Sequence, residues 1–203
     1  EHFLKERTWE ELEHDCLLCE KCQLKEGRTQ VVFGVGNRHA SVLFIGEGPG
    51  EQEDLQGKPF VGRSGQYLDK QLAAVGLSRE KDLYIANIVK CRPPHNRDPL
   101  PEEQEACLPW LRAQTALIRP KIIVCLGRIA AMKIIRPDFK ITKEHGIFFE
   151  KGGILMMATL HPAALLRNPA AKPGALEDMV KLRAKMEELG LIEPETFPDE
   201  PCP

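Results

Sequence analysis

Four cysteines stand in two distant pairs. Cys19 and Cys22 lie close together near the start of the chain, and Cys91 and Cys107 follow far along it. Four thiolates are the ligand set of a structural zinc or of an iron–sulfur cluster. A compact finger would gather all four within a few dozen residues. Here a metal group would instead staple the N-terminal segment to the middle of the chain. Cys16 precedes Cys19 by three, so Cys16, Cys19 and Cys22 form a ferredoxin-like run, and five thiols compete for four positions. The chain has seven cysteines. In the reducing cytoplasm expected for it, they argue for metal binding over a disulfide framework.

Three further segments carry polar groups suited to chemistry. Gly46-Glu47-Gly48-Pro49-Gly50-Glu51-Gln52-Glu53-Asp54 is a glycine-rich turn crowded with acids. Such a turn lets backbone approach a ligand and aims N–H groups at it, although tight strand-to-helix turns are also glycine-rich for structural reasons alone. No Gly-Lys-Ser/Thr follows, and the spacing does not fit a dinucleotide fingerprint. The acids disfavour a bound phosphate and suit a neutral ligand or proton transfer. Asn87 offers an acceptor and a donor side by side, as a base reader needs, but a buried Asn also commonly braces backbone. His161-Pro162-Ala163-Ala164-Leu165-Leu166-Arg167-Asn168-Pro169 joins a histidine to two leucines and an arginine, bracketed by prolines. The histidine could cap a helix. A rigid apolar wedge beside a cation is also a means of entering a base stack. Phe60 could be core or could stack on a planar ring. Ser64 opens a helix whose free N–H groups could take a phosphate. Lys90, Arg92, His95 and Arg97 form a basic stretch around Cys91, either a solvated loop or a phosphate contact.

The elements that must position these residues follow from apolar pattern. Val42–Gly46, Leu83–Val89, Ile122–Leu126 and Ile154–Leu160 are short, β-rich and continuous, the pattern of strands buried on both faces of a parallel sheet. Val31–Gly34 reads as a further short extended piece. Helices are expected over residues 1–15, Gln66–Val75, Pro101–Ile118 with a kink at Pro109, Arg128–Ile135 and Leu176–Leu189. Alternating strands and helices predict a three-layer α/β/α domain around a central, mainly parallel four-stranded sheet. Residues 1–203 read as a single domain, with 1–30 as an N-terminal helix and cluster-binding segment. Residues 193–203 read as a loose tail, with Cys202 a bystander. Ligands of such sheets gather at the carboxyl ends of strands, where Gly46, Asn87 and His161 fall. The composition, 42% hydrophobic and 29% charged with a net charge of −2, is that of a globular protein. It lacks the overall basicity common in nucleic-acid binders, though a local basic patch suffices. No apolar run has membrane length.

Taken together, these motifs resemble the family 4 uracil-DNA glycosylases, the iron–sulfur branch of the uracil-DNA glycosylase superfamily. The match runs from about Cys19 to about Asn168. It rests on Gly46–Asp54, on Pro59-Phe60-Val61-Gly62, on Asn87-Ile88-Val89-Lys90-Cys91-Arg92-Pro93-Pro94, and on His161–Pro169. The resemblance implies a uracil-DNA glycosylase-like fold and a 4Fe–4S cluster on Cys19, Cys22, Cys91 and Cys107, structural in role, with Cys16 spare and no nucleotide cofactor. It implies hydrolysis of the N-glycosidic bond of a flipped uracil, in single- or double-stranded DNA, by a monomer. His161 would donate to uracil O2, and Glu47 would orient the water or the developing cation. Phe60 would stack on the ring, Asn87 would read its edge, Gly46 and Gly48 would line the pocket, and Glu53 would meet the thymine methyl. Leu165 would be the wedge, supported by Leu166 and Arg167, with Ser64, Lys90 and Arg92 on the DNA backbone. A related branch has Gln after the Glu of the first motif and captures uracil-DNA through a histidine in an inserted basic loop. Gly48 stands at that position here, and no insertion separates Cys91 from Pro101, so turnover is expected. The rivals are a non-catalytic metal-containing DNA-binding module and a nucleotide-handling α/β enzyme with a structural zinc.

Overall fold

The computed structural model describes residues 7–194. Its sheet has the order β1-β3-β2-β4-β6-β5, built from Val35–Gly36 (β1), Val42–Gly46 (β2), Leu83–Asn87 (β3), Ile122–Leu126 (β4), Phe149–Lys151 (β5) and Ile154–Thr159 (β6). The four expected strands are present and mutually parallel. They are flanked by two antiparallel edge strands that the sequence pattern did not announce. Both edges are short, and neither is buried. An exposed edge carries no apolar run, so periodicity could not find it. The extended piece expected over 31–34 lies just before β1.

Side chains of β2 alternate between two apolar clusters, as a strand requires. Leu43 and Ile45 pack with Leu12, Leu108, Leu111 and Ala131. Those residues lie on Trp9–Leu17 (α1), Pro101–Ile118 (α4) and Arg128–Ile134 (α5). Val42 and Phe44 pack on the other face with Leu68, Leu72, Met179 and Leu182, from Arg63–Ala74 (α3) and Lys172–Glu188 (α8). This is the expected three-layer arrangement. The first helix starts at Trp9 behind a Thr8–Glu11 capping box, and it runs on through Cys16. Helix α4 continues as one element through Pro109.

The parallel strands all point their carboxyl ends to one edge. There β2 leads into a short helix, Glu51–Gln56 (α2), and β6 leads into Pro162–Arg167 (α7). Beyond the paired strands, Ile88 donates to the carbonyl of Gly46 at 2.9 Å and Val89 to that of Glu47 at 3.1 Å. The Gly46–Gly48 turn and the Asn87–Val89 segment are thereby zipped side by side.

Candidate active site

A cleft of about 450 Å³ opens at this edge, and Glu47, Phe60, Asn87, Asp98, Arg128 and His161 all line it. Asn87 is 2% exposed, and its side-chain oxygen has no hydrogen-bond partner. Leaving a buried acceptor unpaired costs roughly 1–3 kcal/mol, which a ligand donor would recover. A Cβ at position 46 would collide with both that oxygen and the Phe60 ring. The glycine is what lets the amide and the ring converge.

Phe60 is held in the left-handed region, φ 52°, a conformation that costs free energy for a bulky residue and persists only when its surroundings impose it. Two devices impose it here. Buried Arg79 donates to the carbonyls of Pro59 at 3.1 Å and Phe60 at 2.9 Å. Glu53 Oε1 accepts from the N–H groups of Val61 and Gly62, each at 3.0 Å. A side chain at Gly65 would strike the Phe60 carbonyl. Glu53 therefore lines the cleft and also braces the Phe60 loop. The Phe60 and His161 rings stand 5.6 Å apart, tilted by 34°.

His161 caps α7, its Nδ1 accepting from the N–H of Ala163 at 3.0 Å. Burial, reinforced by Arg167 and opposed by Glu53, lowers its pKa to about 4. A neutral ring that accepts at Nδ1 carries its proton on Nε2. The ring is therefore a neutral donor. Glu47 moves the other way: burial first, then the charge of Asp98 and a hydrogen bond with it, against the opposing charge of Arg128, raise its pKa to about 7. Asp98 and Arg128 form an ion pair with each other. Arg79, Asp98 and Arg128 were not singled out by sequence reasoning. Each comes from a segment remote in sequence from the glycine-rich turn and the Phe60 motif, so no local pattern marks it.

Two DNA-contact expectations need correction. Leu165 is 0% exposed, because α7 turns it inward against the domain, so it cannot be an exposed wedge. Leu166 is half-buried and Arg167 exposed, at the outside of the same turn. Lys90 is 1% exposed and donates to Gln114 Oε1 at 2.6 Å; it faces the interior and cannot reach a phosphate. Arg92 stays partly exposed, donating to Asn96 at 2.7 Å. Ser64 lines the cleft at the start of α3. Arg97 is committed to Glu103 by two bonds of 2.9 and 2.6 Å.

Cys19, Cys22, Cys91 and Cys107 line one small pocket, with Arg28 and Trp110. Three sulfurs already accept hydrogen bonds: Cys19 from Trp110 Nε1 at 3.2 Å, Cys107 from the Lys90 N–H at 3.2 Å, and Cys91 from Arg28 at 3.5 Å. Donors aimed at sulfur favour thiolate ligands and tune a bound cluster. Cys16 is fully buried beside them but does not line the pocket. Among the described residues, no three acidic, imidazole or thiol groups are close enough to hold a single metal ion. Cys202 lies outside the described residues.

Fold and cleft together define an α/β domain whose cleft gathers an aromatic ring, a buried amide with an unpaired oxygen and a neutral imidazole. Residues 33–183 match the family model described as Uracil DNA glycosylase superfamily. The chain is 43% identical to a Type-4 uracil-DNA glycosylase of Archaeoglobus fulgidus over 85% of this chain and 90% of that one. It is 42% identical to the Type-4 uracil-DNA glycosylase of Thermotoga maritima, over 93% of this chain and all of that one. A Type-5 uracil-DNA glycosylase of Pyrobaculum aerophilum is 33% identical over 64% of each chain. The chain belongs to the uracil-DNA glycosylase superfamily, within its type-4 branch. No helix among the described residues is long and apolar enough to cross a membrane.

Proposed function

We propose that this protein flips uracil out of DNA and hydrolyses its N-glycosidic bond, leaving free uracil and an abasic site. The observation that carries the reading is the unpartnered buried oxygen of Asn87 beside Phe60 and His161. Uracil N3–H would donate to that oxygen and uracil O4 would accept from the amide nitrogen, while the ring stacks on Phe60. Gly46 and Gly48 keep the pocket wall low enough for this. Cytosine presents the reverse pattern and leaves both groups unpaired, a mismatch of the kind that rejects analogues by about 10⁴-fold or more.

Bond cleavage builds cationic character on the sugar and negative charge on the departing base. A neutral Nε2–H on His161 suits the growing charge at O2, and removing one such donor typically costs about 10²–10³ in rate. Glu47 faces the other reactant. Ionised, it would orient the attacking water or stabilise the sugar cation. The target must leave the stack before any of this. Leu166, half-buried where Leu165 is buried, would fill its space, with Arg167, Arg92 and the Ser64 turn at the DNA backbone. The four thiols around one pocket, with N–H groups already directed at three sulfurs, suit a 4Fe–4S cluster in a structural role. A monomer working in the cytoplasm accommodates all of these parts.

Incubation with single- and double-stranded oligonucleotides carrying one uracil, followed by alkali, tests the reading. Cleavage at the uracil is expected. Intact strands from folded protein would refute it. Asn87→Asp should slow uracil release and narrow the preference over cytosine; undiminished discrimination would remove Asn87 from the reading role.

A further inference from the structure

Glu47 does not stand alone at the mouth of the cleft. Asp98, which follows the second cysteine pair's first member by seven positions, hydrogen-bonds it and adds a like charge. Arg128, at the first position of α5, is paired with Asp98 and supplies the opposing charge. All three side chains line the same cleft. The other charged or titratable groups there are Arg97, Glu53, His161 and Arg167. Arg97 is committed to Glu103, Glu53 to the Phe60 loop, His161 is neutral at working pH, and Arg167 acts on His161; only Asp98 and Arg128 act on Glu47. Asp98 and Arg128 are thus the charges arranged around the Glu47 carboxyl itself.

We propose that Asp98 and Arg128 form a positioning pair that governs the protonation of Glu47 and so its capacity to orient the attacking water. Two carboxyl groups in hydrogen-bond contact hold a proton between them more readily than either does alone. Arg128 limits that effect by neutralising Asp98. The arrangement places the ionisation of Glu47 close to neutrality, where a group that handles a proton is most useful. Because Asp98 and Arg128 are each a little over half exposed, 54% and 55%, their influence is screened but not abolished. The pair has a directional signature. Losing Asp98 removes a charge that keeps Glu47 protonated. Losing Arg128 removes the charge that opposes it. A purely structural contact would not push the two variants in opposite directions.

The inference rests on the glycosylase reading for its link to water, but not for the titration. Single-turnover uracil release is to be measured from about pH 5 to pH 9 for the wild type, Asp98→Asn and Arg128→Met. The acid limb is expected to move down in Asp98→Asn and up in Arg128→Met, each by about half a unit to one unit. In parallel, carbon-13 carboxyl resonances of the free proteins follow Glu47, assigned by its loss in Glu47→Gln, and should move in the same two directions. Limbs and resonances that stay at the wild-type pH, or move the same way in both variants, overturn the pair. A wild type that releases no uracil overturns the glycosylase reading, and the carboxyl titration then still decides whether the pair controls Glu47.

Discussion

Glu47 and His161 share one cleft, are both partly withdrawn from water, and respond in opposite senses. Burial favours the neutral form of each, which for the histidine means a pKa near 4 and for the glutamate, with Asp98 adding to the effect, one near 7. For Glu47 the consequence is a cost in stability at working pH. Its folded-state pKa lies above the ordinary 4.5, so folded protein holds a proton that the unfolded chain has released between those values. The stability that Glu47 contributes is full below about 4.5 and is lost as pH rises through about 7. Glu47→Gln should therefore be more stable than the wild type at pH 8 by about 1–2 kcal/mol after discounting for partial exposure, with little difference at pH 4. Urea unfolding at the two pH values checks this; an equal difference at both would mean that Glu47 does not titrate as described. Single residues also show what the sequence could reveal. Asn87, Phe60 and His161 sit inside contiguous motifs, and all three line the cleft. Lys90 was misassigned because it adjoins Cys91 and Arg92 in a basic run. Its placement inward, onto Gln114, depends on how the segment beyond β3 packs against α4, which composition does not encode.

At the scale of elements, the Phe60 loop is the clearest case of tertiary contacts overriding local preference. Phe60 has a positive φ, and nothing in Lys58–Gly62 demands it. Arg79 supplies the restraint from the turn after α3, tied in turn to Asp69 at 2.8 Å. The parallel strands and long helices were legible because buried runs and amphipathic faces leave periodic signals. The edge strands, the Arg79 clamp and the buried side of Leu165 were not, since each is decided by contacts between distant segments. Arg79→Met should release the Pro59 and Phe60 carbonyls while keeping much of the side-chain packing. The expected result is a loss of about 1–3 kcal/mol in stability. Uracil release should fall further than that loss explains at temperatures where the variant is folded, with KM raised more than kcat is lowered. An unchanged KM would show that the loop keeps Phe60 in place without the clamp.

Across the whole molecule, the cysteine pocket and the cleft are coupled by short covalent and hydrogen-bonded routes. Cys91 lies four positions beyond Asn87 in one continuous segment. The stretch after Cys22 returns along it, with the Val32 N–H donating to the Lys90 carbonyl at 2.7 Å. Asp54, at the end of the acidic motif, accepts from the N–H groups of Thr29 at 2.8 Å and Gln30 at 3.3 Å. Arg28 reaches both the Cys19 carbonyl at 2.6 Å and the Cys91 sulfur. A cluster on the four thiols would thus join α1, α4, the Asn87 segment and, through Asp54, helix α2. Neither the cysteines nor Arg28, Val32, Asp54 or Lys90 line the cleft, so the coupling is one of position. Cys91→Ala should lose the broad absorbance near 400 nm expected of a thiolate-bound iron–sulfur cluster (roughly, by the chemistry of such centres). It should also unfold at lower temperature and bind uracil-containing DNA more weakly, since closing the long loop between the cysteine pairs restrains the unfolded chain as any cross-link does. A Cys16→Ala protein should keep the absorbance, because Cys16 lies outside the pocket. If Cys91→Ala lost the absorbance but kept its melting temperature and DNA affinity, the cluster would not be the staple; if Cys16→Ala lost it too, the ligand set would need redrawing.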